Sequence, residues 1–181
     1  MQHSIALKWI LRYLAGTKNF SITYSKNASN TDGNIFHGFA DAAYANNEDN
    51  RSTSGYMAAG GAITWRFKKQ TTIALSSTEA EYVALSEAGR EVCWLRNLLF
   101  KLGYSQNSPT LVKGNNDGSI MMAHNPQLNN RSKHIGIRWH WVRDLVEHNI
   151  LTIQSCRDPE QTADALMKAL PNINDTFLKW A

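Results

Sequence analysis

The stretch from Ser76 to Gly103 constrains this chain most. Tyr82, Leu85, Val92, Leu95, Leu99 and Leu102 recur along it at helical spacing, which makes one apolar stripe. Two capping boxes compete at its start, Ser76 with Glu79 and Thr78 with Glu81. Gly103 supplies a stop. Such a helix must bury its stripe on something, and the segments around it read as strands. Ile35 to Tyr44 reads as one strand, Thr53 to Phe67 as one or two broken at Gly60-Gly61, and Thr71 to Ser76 as another. Beyond the helix, Pro109 to Val112 reads as strand, Gly118 to His124 as a short helix and Ile135 to His148 as a longer one. Ile150 to Cys156 is again strand, and Glu160 to Leu170 a final helix. This order predicts an α/β fold, a five-stranded mixed sheet flanked by helices.

The front of the chain reads separately. Ile5, Ile10, Leu11 and Leu14 mark a helix from Ser4 to Leu14, with Gly16 as its stop. Phe20 to Ser25 looks like a short strand, and Lys26 to Asn34, rich in Asn and Ser, like a linker. Residues 1–34 are therefore expected to form a helix and linker, and 35–181 the main domain. Met1 to Ala15 is apolar enough to suggest a signal peptide, but Lys8 and Arg12 interrupt it. No apolar run approaches a membrane span, and the expectation is a soluble intracellular protein. A hydrophobic fraction of 43% can fill one core, and a formal net charge of +4 permits a polyanionic partner without demanding one. Cys93 and Cys156 sit in apolar surroundings and read as core residues. There is no CxxC spacing to suggest zinc.

Three acids stand where acids are costly. Asp41 lies inside an apolar strand, between Phe39-Ala40 and Ala42-Ala43. Without a cation, a set of hydrogen bonds or an open cleft, a carboxylate there is destabilising. Glu81 falls in the first turns of the long helix. Asp164 lies in the final helix, flanked by Ala163 and Ala165. Acids on separate elements around one sheet can converge on hard cations such as Mg²⁺, and two such ions can clamp a reacting phosphodiester. Each acid also has a plain reading: an edge residue facing water, or a carboxylate favoured by a helix N-terminus.

The segments Gly38-Phe-Ala-Asp-Ala-Ala-Tyr-Ala45, Arg51-Ser-Thr-Ser-Gly-Tyr56, Lys68-Lys-Gln70, Leu75-Ser-Ser-Thr-Glu-Ala-Glu-Tyr-Val-Ala-Leu85, Ser132-Lys-His-Ile135 and Gln161-Thr-Ala-Asp-Ala-Leu166 resemble, in order, the ribonuclease H domain of Ty1/copia-type retrotransposon polyproteins. Trp9-Ile-Leu-Arg-Tyr-Leu-Ala-Gly-Thr17 resembles the segment joining the reverse transcriptase to that domain. The resemblance implies a ribonuclease H-like fold and an endonuclease that binds RNA/DNA hybrids and hydrolyses the RNA strand by two-metal catalysis. It implies two Mg²⁺ ions, with Mn²⁺ as substitute. It also implies the reverse transcriptase part of the same polyprotein as partner, and a cytoplasmic particle or the nucleus as location. An integrase-type nuclease shares the sheet, but its acids run Asp, Asp, Glu, whereas Glu81 here comes second.

By this resemblance the four metal-binding acids map to Asp41, Glu81, a third position and Asp164. The third falls within Lys113-Gly-Asn-Asn-Asp-Gly-Ser-Ile120, and counting back from Ile120 places it at Asn115. An amide there keeps an oxygen ligand and loses the charge, so impaired activity is expected. Asp117, two residues on, is the competing candidate and is better suited to capping the short helix. Ala43 and Gly136 are further departures, each standing where the family commonly shows Asp. An engineered change, a decayed element and a domesticated binding module all remain open as origins of Asn115. Arg51, Ser52, Thr53 and Ser54 are expected to touch phosphates or 2′-hydroxyls, as are Lys133 and His134. The plain reading of that first run is a polar turn. His140 is expected to be structural.

Overall fold

The computed structural model describes residues 2–19, 21, 36–59, 62–125, 136–157 and 160–167. The elements run α1 (Gln2–Thr17), β1 (His37–Ala43), β2 (Thr53–Ala59), β3 (Thr64–Lys69), α2 (Ser77–Lys101), β4 (Thr110–Gly114), α3 (Asp117–His124), α4 (Gly136–Glu147), β5 (Leu151–Ser155) and α5 (Asp164–Met167). One sheet takes the order β3-β2-β1-β4-β5. β1 pairs antiparallel with β2 and parallel with β4, β2 pairs antiparallel with β3, and β4 pairs parallel with β5. This is the expected five-stranded mixed sheet.

Two sheet faces follow from the alternation of side chains. On one, Ala40, Tyr56, Val112, Leu151 and Ile153 pack with Tyr82, Leu85, Val92 and Leu95 of α2 and with Trp139, Val142 and Leu145 of α4. On the other, Phe39 packs with Ala163, just ahead of α5. Gly55 pairs with Asp41 in register and permits this second layer. A Cβ there would meet Met167 Sδ at 2.9 Å and Leu166 Cβ at 3.5 Å. α1 joins neither cluster, and its Ile5, Trp9, Ile10 and Leu14 are exposed.

Several boundaries differ from the sequence reading. Thr53 to Phe67 resolves into two strands, β2 and β3. Thr71 to Ser76 is not a strand. Its Ile73 and Leu75 are exposed, because β3 is already the sheet edge and the chain turns there towards α2. Leu102, expected in the buried stripe, is exposed at the helix C-cap. The final helix is described only as Asp164–Met167, after a turn at 162–163. The linker at Lys26 to Asn34 and, apart from Ser21, the strand expected at Phe20 to Ser25 lie outside the described residues. Cys93 and Cys156 are half-buried and buried free thiols.

The competition between capping boxes is settled in favour of Ser76. Its Oγ accepts from Glu79 N at 3.2 Å, and Glu79 Oε2 accepts from Leu75 N at 2.8 Å. Glu79 is thereby spent on the helix start. Glu81, two residues on and so on roughly the opposite side of the helix, is left for the sheet. We expect Ser76→Ala to lower stability by about 1 kcal/mol in urea unfolding. No loss would mean that the cap is set elsewhere.

Candidate active site

Asp41 is 3% exposed and Glu81 8%. The two carboxyl groups share a hydrogen bond, and Glu81 also accepts from the backbone N–H of Ala42. Burial pushes the Glu81 carboxyl up, from the ordinary 4.5 to about 8. The negative charge of Asp41 adds to this, the Ala42 bond opposes it, and Asp164 contributes more weakly. Two acids this close and this dry cannot both ionise cheaply.

The other two positions lie near the same sheet end. Asp164 is half-buried at the first turn of α5, with its N–H on Gln161 O at 3.2 Å. Phe39 pairs with Lys113 between the parallel strands. Asp41 and Asn115 each follow two residues later, so both stand at the same end of the sheet. Asn115 is half-buried. α3 comes close to α2 here: a Cβ at Gly118 would meet Thr78 Oγ1 at 3.0 Å and Cγ2 at 3.1 Å, so glycine permits the approach.

Asp117 does not cap α3. Asn116 is the N-cap, its Oδ1 accepting from Ser119 N at 2.9 Å. That reach, three residues on, is the geometry a cap needs. Asp117 is exposed, and its Oδ1 accepts from Ser155 Oγ at 2.9 Å.

The expected substrate contacts are rearranged by burial. Ser52, Thr53 and Ser54 are at most 2% exposed. Ser52 Oγ accepts from Ala45 N, holding that residue at φ 47°. Ser54 Oγ accepts from Gln70 Nε2, and Thr53 Oγ1 donates to Asn46 Oδ1. These hydroxyls brace the β1–β2 connection. Arg51 is half-buried beside Asp49 at 3.6 Å. Asp49 also meets Lys69 at 2.7 Å, and the bond from Lys69 holds its carboxyl below the usual range. Lys133 and His134 lie outside the described residues. His140 is exposed, its ring edge-on to buried Trp139. Sequence reasoning gave no role to Gln70 and Gln161, which are 2% and 1% exposed.

The donor set is oxygen throughout, which suits a hard divalent cation. A cation would also relieve the repulsion inside the Asp41–Glu81 pair. Among the described residues, no three His, Cys, Asp or Glu side chains form a group that could hold an ion on their own. A cation held by this pair would need further oxygens, for which the Asp164 carboxylate and the Asn115 amide are the candidates.

This fold is the ribonuclease H fold. The chain aligns with LC11-RNase H1, isolated from compost by a metagenomic approach, at a TM-score of 0.54 and 12% identity, over 81% of this chain and 97% of that one. The same protein solved in complex with an RNA/DNA hybrid aligns at 0.53, over 72% and 92%. The homologues in sequence are regions of Ty1/copia-type Pol polyproteins. The chain is 38% identical over 173 residues to the retrovirus-related Pol polyprotein from transposon TNT 1-94 of Nicotiana tabacum, covering 94% of this chain and 13% of that protein. It is 37% identical over 174 residues to that from transposon RE1 of Arabidopsis thaliana, covering 93% and 12%. No family model matches the chain. Together these make it a domain of ribonuclease H fold, homologous to a small segment of those polyproteins. Among the described residues, no helix is long and apolar enough to cross a membrane.

The pair has a consequence for stability. Between pH 4.5 and about 8 the folded chain retains a proton on Glu81 that the unfolded chain has released. Its contribution is therefore most favourable below that window and is lost as pH rises through it. We expect Glu81→Gln to raise metal-free stability at pH 8, by on the order of a few kcal/mol at most, and to flatten the pH dependence across the window. Calorimetry at several pH values checks this, and an unchanged profile would refute it.

Proposed function

We propose that this chain grips an RNA/DNA hybrid and hydrolyses its RNA strand at the sheet end carrying Asp41, Glu81, Asn115 and Asp164. The observation that supports this most is the buried Asp41–Glu81 pair, which is costly in the free protein and suited to cations. Two Mg²⁺ ions, with Mn²⁺ as substitute, would be held by those four residues. When bound, they supply charge for the attacking and leaving oxygens of the phosphodiester. Asp41 and Glu81 provide the buried carboxylates, and Asp164 adds charge from α5. Asn115 provides an amide oxygen without charge, so binding is weaker and turnover slower. One missing preorganised electrostatic group costs on the order of 10²–10³ in rate.

The β1–β2 connection offers Arg51 and the exposed amide of Asn46 towards a nucleic-acid backbone. The buried hydroxyls of Ser52, Thr53 and Ser54 would act on substrate only through the loop they brace. Lys133 and His134 are retained as candidate contacts. In the life of a retrotransposon, the domain would act beside the reverse transcriptase of the same polyprotein, inside cells, in a cytoplasmic particle or the nucleus.

A second reading is favoured by Asn115 itself: a hybrid-binding module that has lost cutting. Cleavage of a labelled hybrid in Mg²⁺ and in Mn²⁺ separates the two. We expect Asn115→Asp to cut at least about 100-fold faster than the unaltered chain. Equal rates would move the third position to Asp117. No cutting by either form, with hybrid binding kept, would favour the module.

A further inference from the structure

Two buried glutamines stand behind the carboxylate pair in matching positions. Gln161 Nε2 donates to the carbonyl of Ala40 at 2.8 Å, the residue before Asp41. Gln70 Nε2 donates to the carbonyl of Ala80 at 2.9 Å, the residue before Glu81, and to Ser54 Oγ at 2.8 Å. The backbone of Gln70 is itself fastened, its N–H on Ser52 O at 2.8 Å. A carbonyl and the next residue's N and Cα share one rigid plane. Each bond therefore fixes the peptide plane from which a metal-site acid departs. One ties β1 to the turn before α5, and so Asp41 to the element carrying Asp164. The other ties the first turn of α2 to β2.

The cost of these residues points the same way. The Oε1 atoms of both glutamines are buried and have no hydrogen-bond partner among the described residues. A buried unpaired acceptor is destabilising, and an apolar side chain of similar length would avoid it. Packing alone thus does not account for glutamine at either place. A lysine or arginine would donate as well, but its charge would neutralise the carboxylates and compete with a cation. A neutral amide donates and leaves the site's charge alone.

We propose that Gln70 and Gln161 are positioning residues for the carboxylates of the proposed metal site, holding the backbone of Asp41 and of Glu81 at a fixed separation. This rests on the metal-site reading of the pair. The test uses the full chain with Gln70→Met and Gln161→Met, beside Tyr82→Phe as control. Tyr82 Oη donates to Trp139 O at 3.0 Å, so the control also loses a buried side-chain-to-backbone bond. Mn²⁺ affinity is measured by calorimetric titration well below the melting temperature, and amide hydrogen exchange is measured without metal.

Each methionine variant is expected to weaken Mn²⁺ binding about tenfold or more, as losses behind metal ligands do. Exchange should quicken at Asp41 and Ala42 in Gln161→Met, and at Glu81 in Gln70→Met. Tyr82→Phe should lower the melting temperature and change neither readout. Methionine variants that match the unaltered chain in affinity and in exchange, whatever their melting temperatures, would overturn the proposal. If neither the unaltered chain nor Asn115→Asp binds Mn²⁺, the metal reading fails. The exchange comparison then decides alone: quickening confined to those amides supports positioning, and its absence overturns it.

Discussion

The burial of two contacting carboxyl groups organises this molecule. Asp41 and Glu81 sit almost without solvent, and burial, with the charge of Asp41 adding to it, raises the Glu81 carboxyl so that it retains a proton at neutral pH. A chain selected for stability alone would replace either with an apolar or amide side chain. Keeping both makes sense where a cation or a developing charge is to be met. Much of the surrounding structure holds this pair in place: β1 central in the sheet, the capped start of α2, and the turn before α5.

The position of Glu81 depends on a choice made a few residues earlier. Because Ser76 caps α2 and Glu79 completes the box, the next acid is not consumed by the helix end. Had Thr78 been the cap, Glu81 would have been the partner of the box and unavailable to Asp41. The same economy applies on α3, where Asn116 caps. Asn115 is left at the sheet end, and Asp117 turns to Ser155. Single-residue differences in capping decide which polar side chains a helix start consumes.

Much of this was legible in the sequence. The apolar spacing of α2 and the strand-like segments around it gave the fold class, because burial at a fixed period is a strong signal. Asp41, Glu81 and Asp164 stood out as acids in apolar settings. Resemblance, not spacing, pointed to Asn115. What failed was context. Thr71 to Ser76 has the β-branched content of a strand, but it follows β3 directly and turns away into the start of α2 instead of pairing with the sheet. Ser52 to Ser54 has the composition of a polar turn, yet it enters β2, which is flanked by β1 and β3 and covered by α2. Gln70 and Gln161 stood in the segments that carry the resemblance but gave no sign of a role, since a glutamine's role is fixed only by the carbonyl it meets across the fold.

The most direct test of this account is titration of the Glu81 carboxyl carbon by NMR, first without divalent metal and then in excess Mg²⁺. A buried, mutually repelling pair predicts a midpoint near 8 without metal and a clear fall when Mg²⁺ is added. A midpoint in the ordinary carboxylate range, unmoved by Mg²⁺, would contradict it.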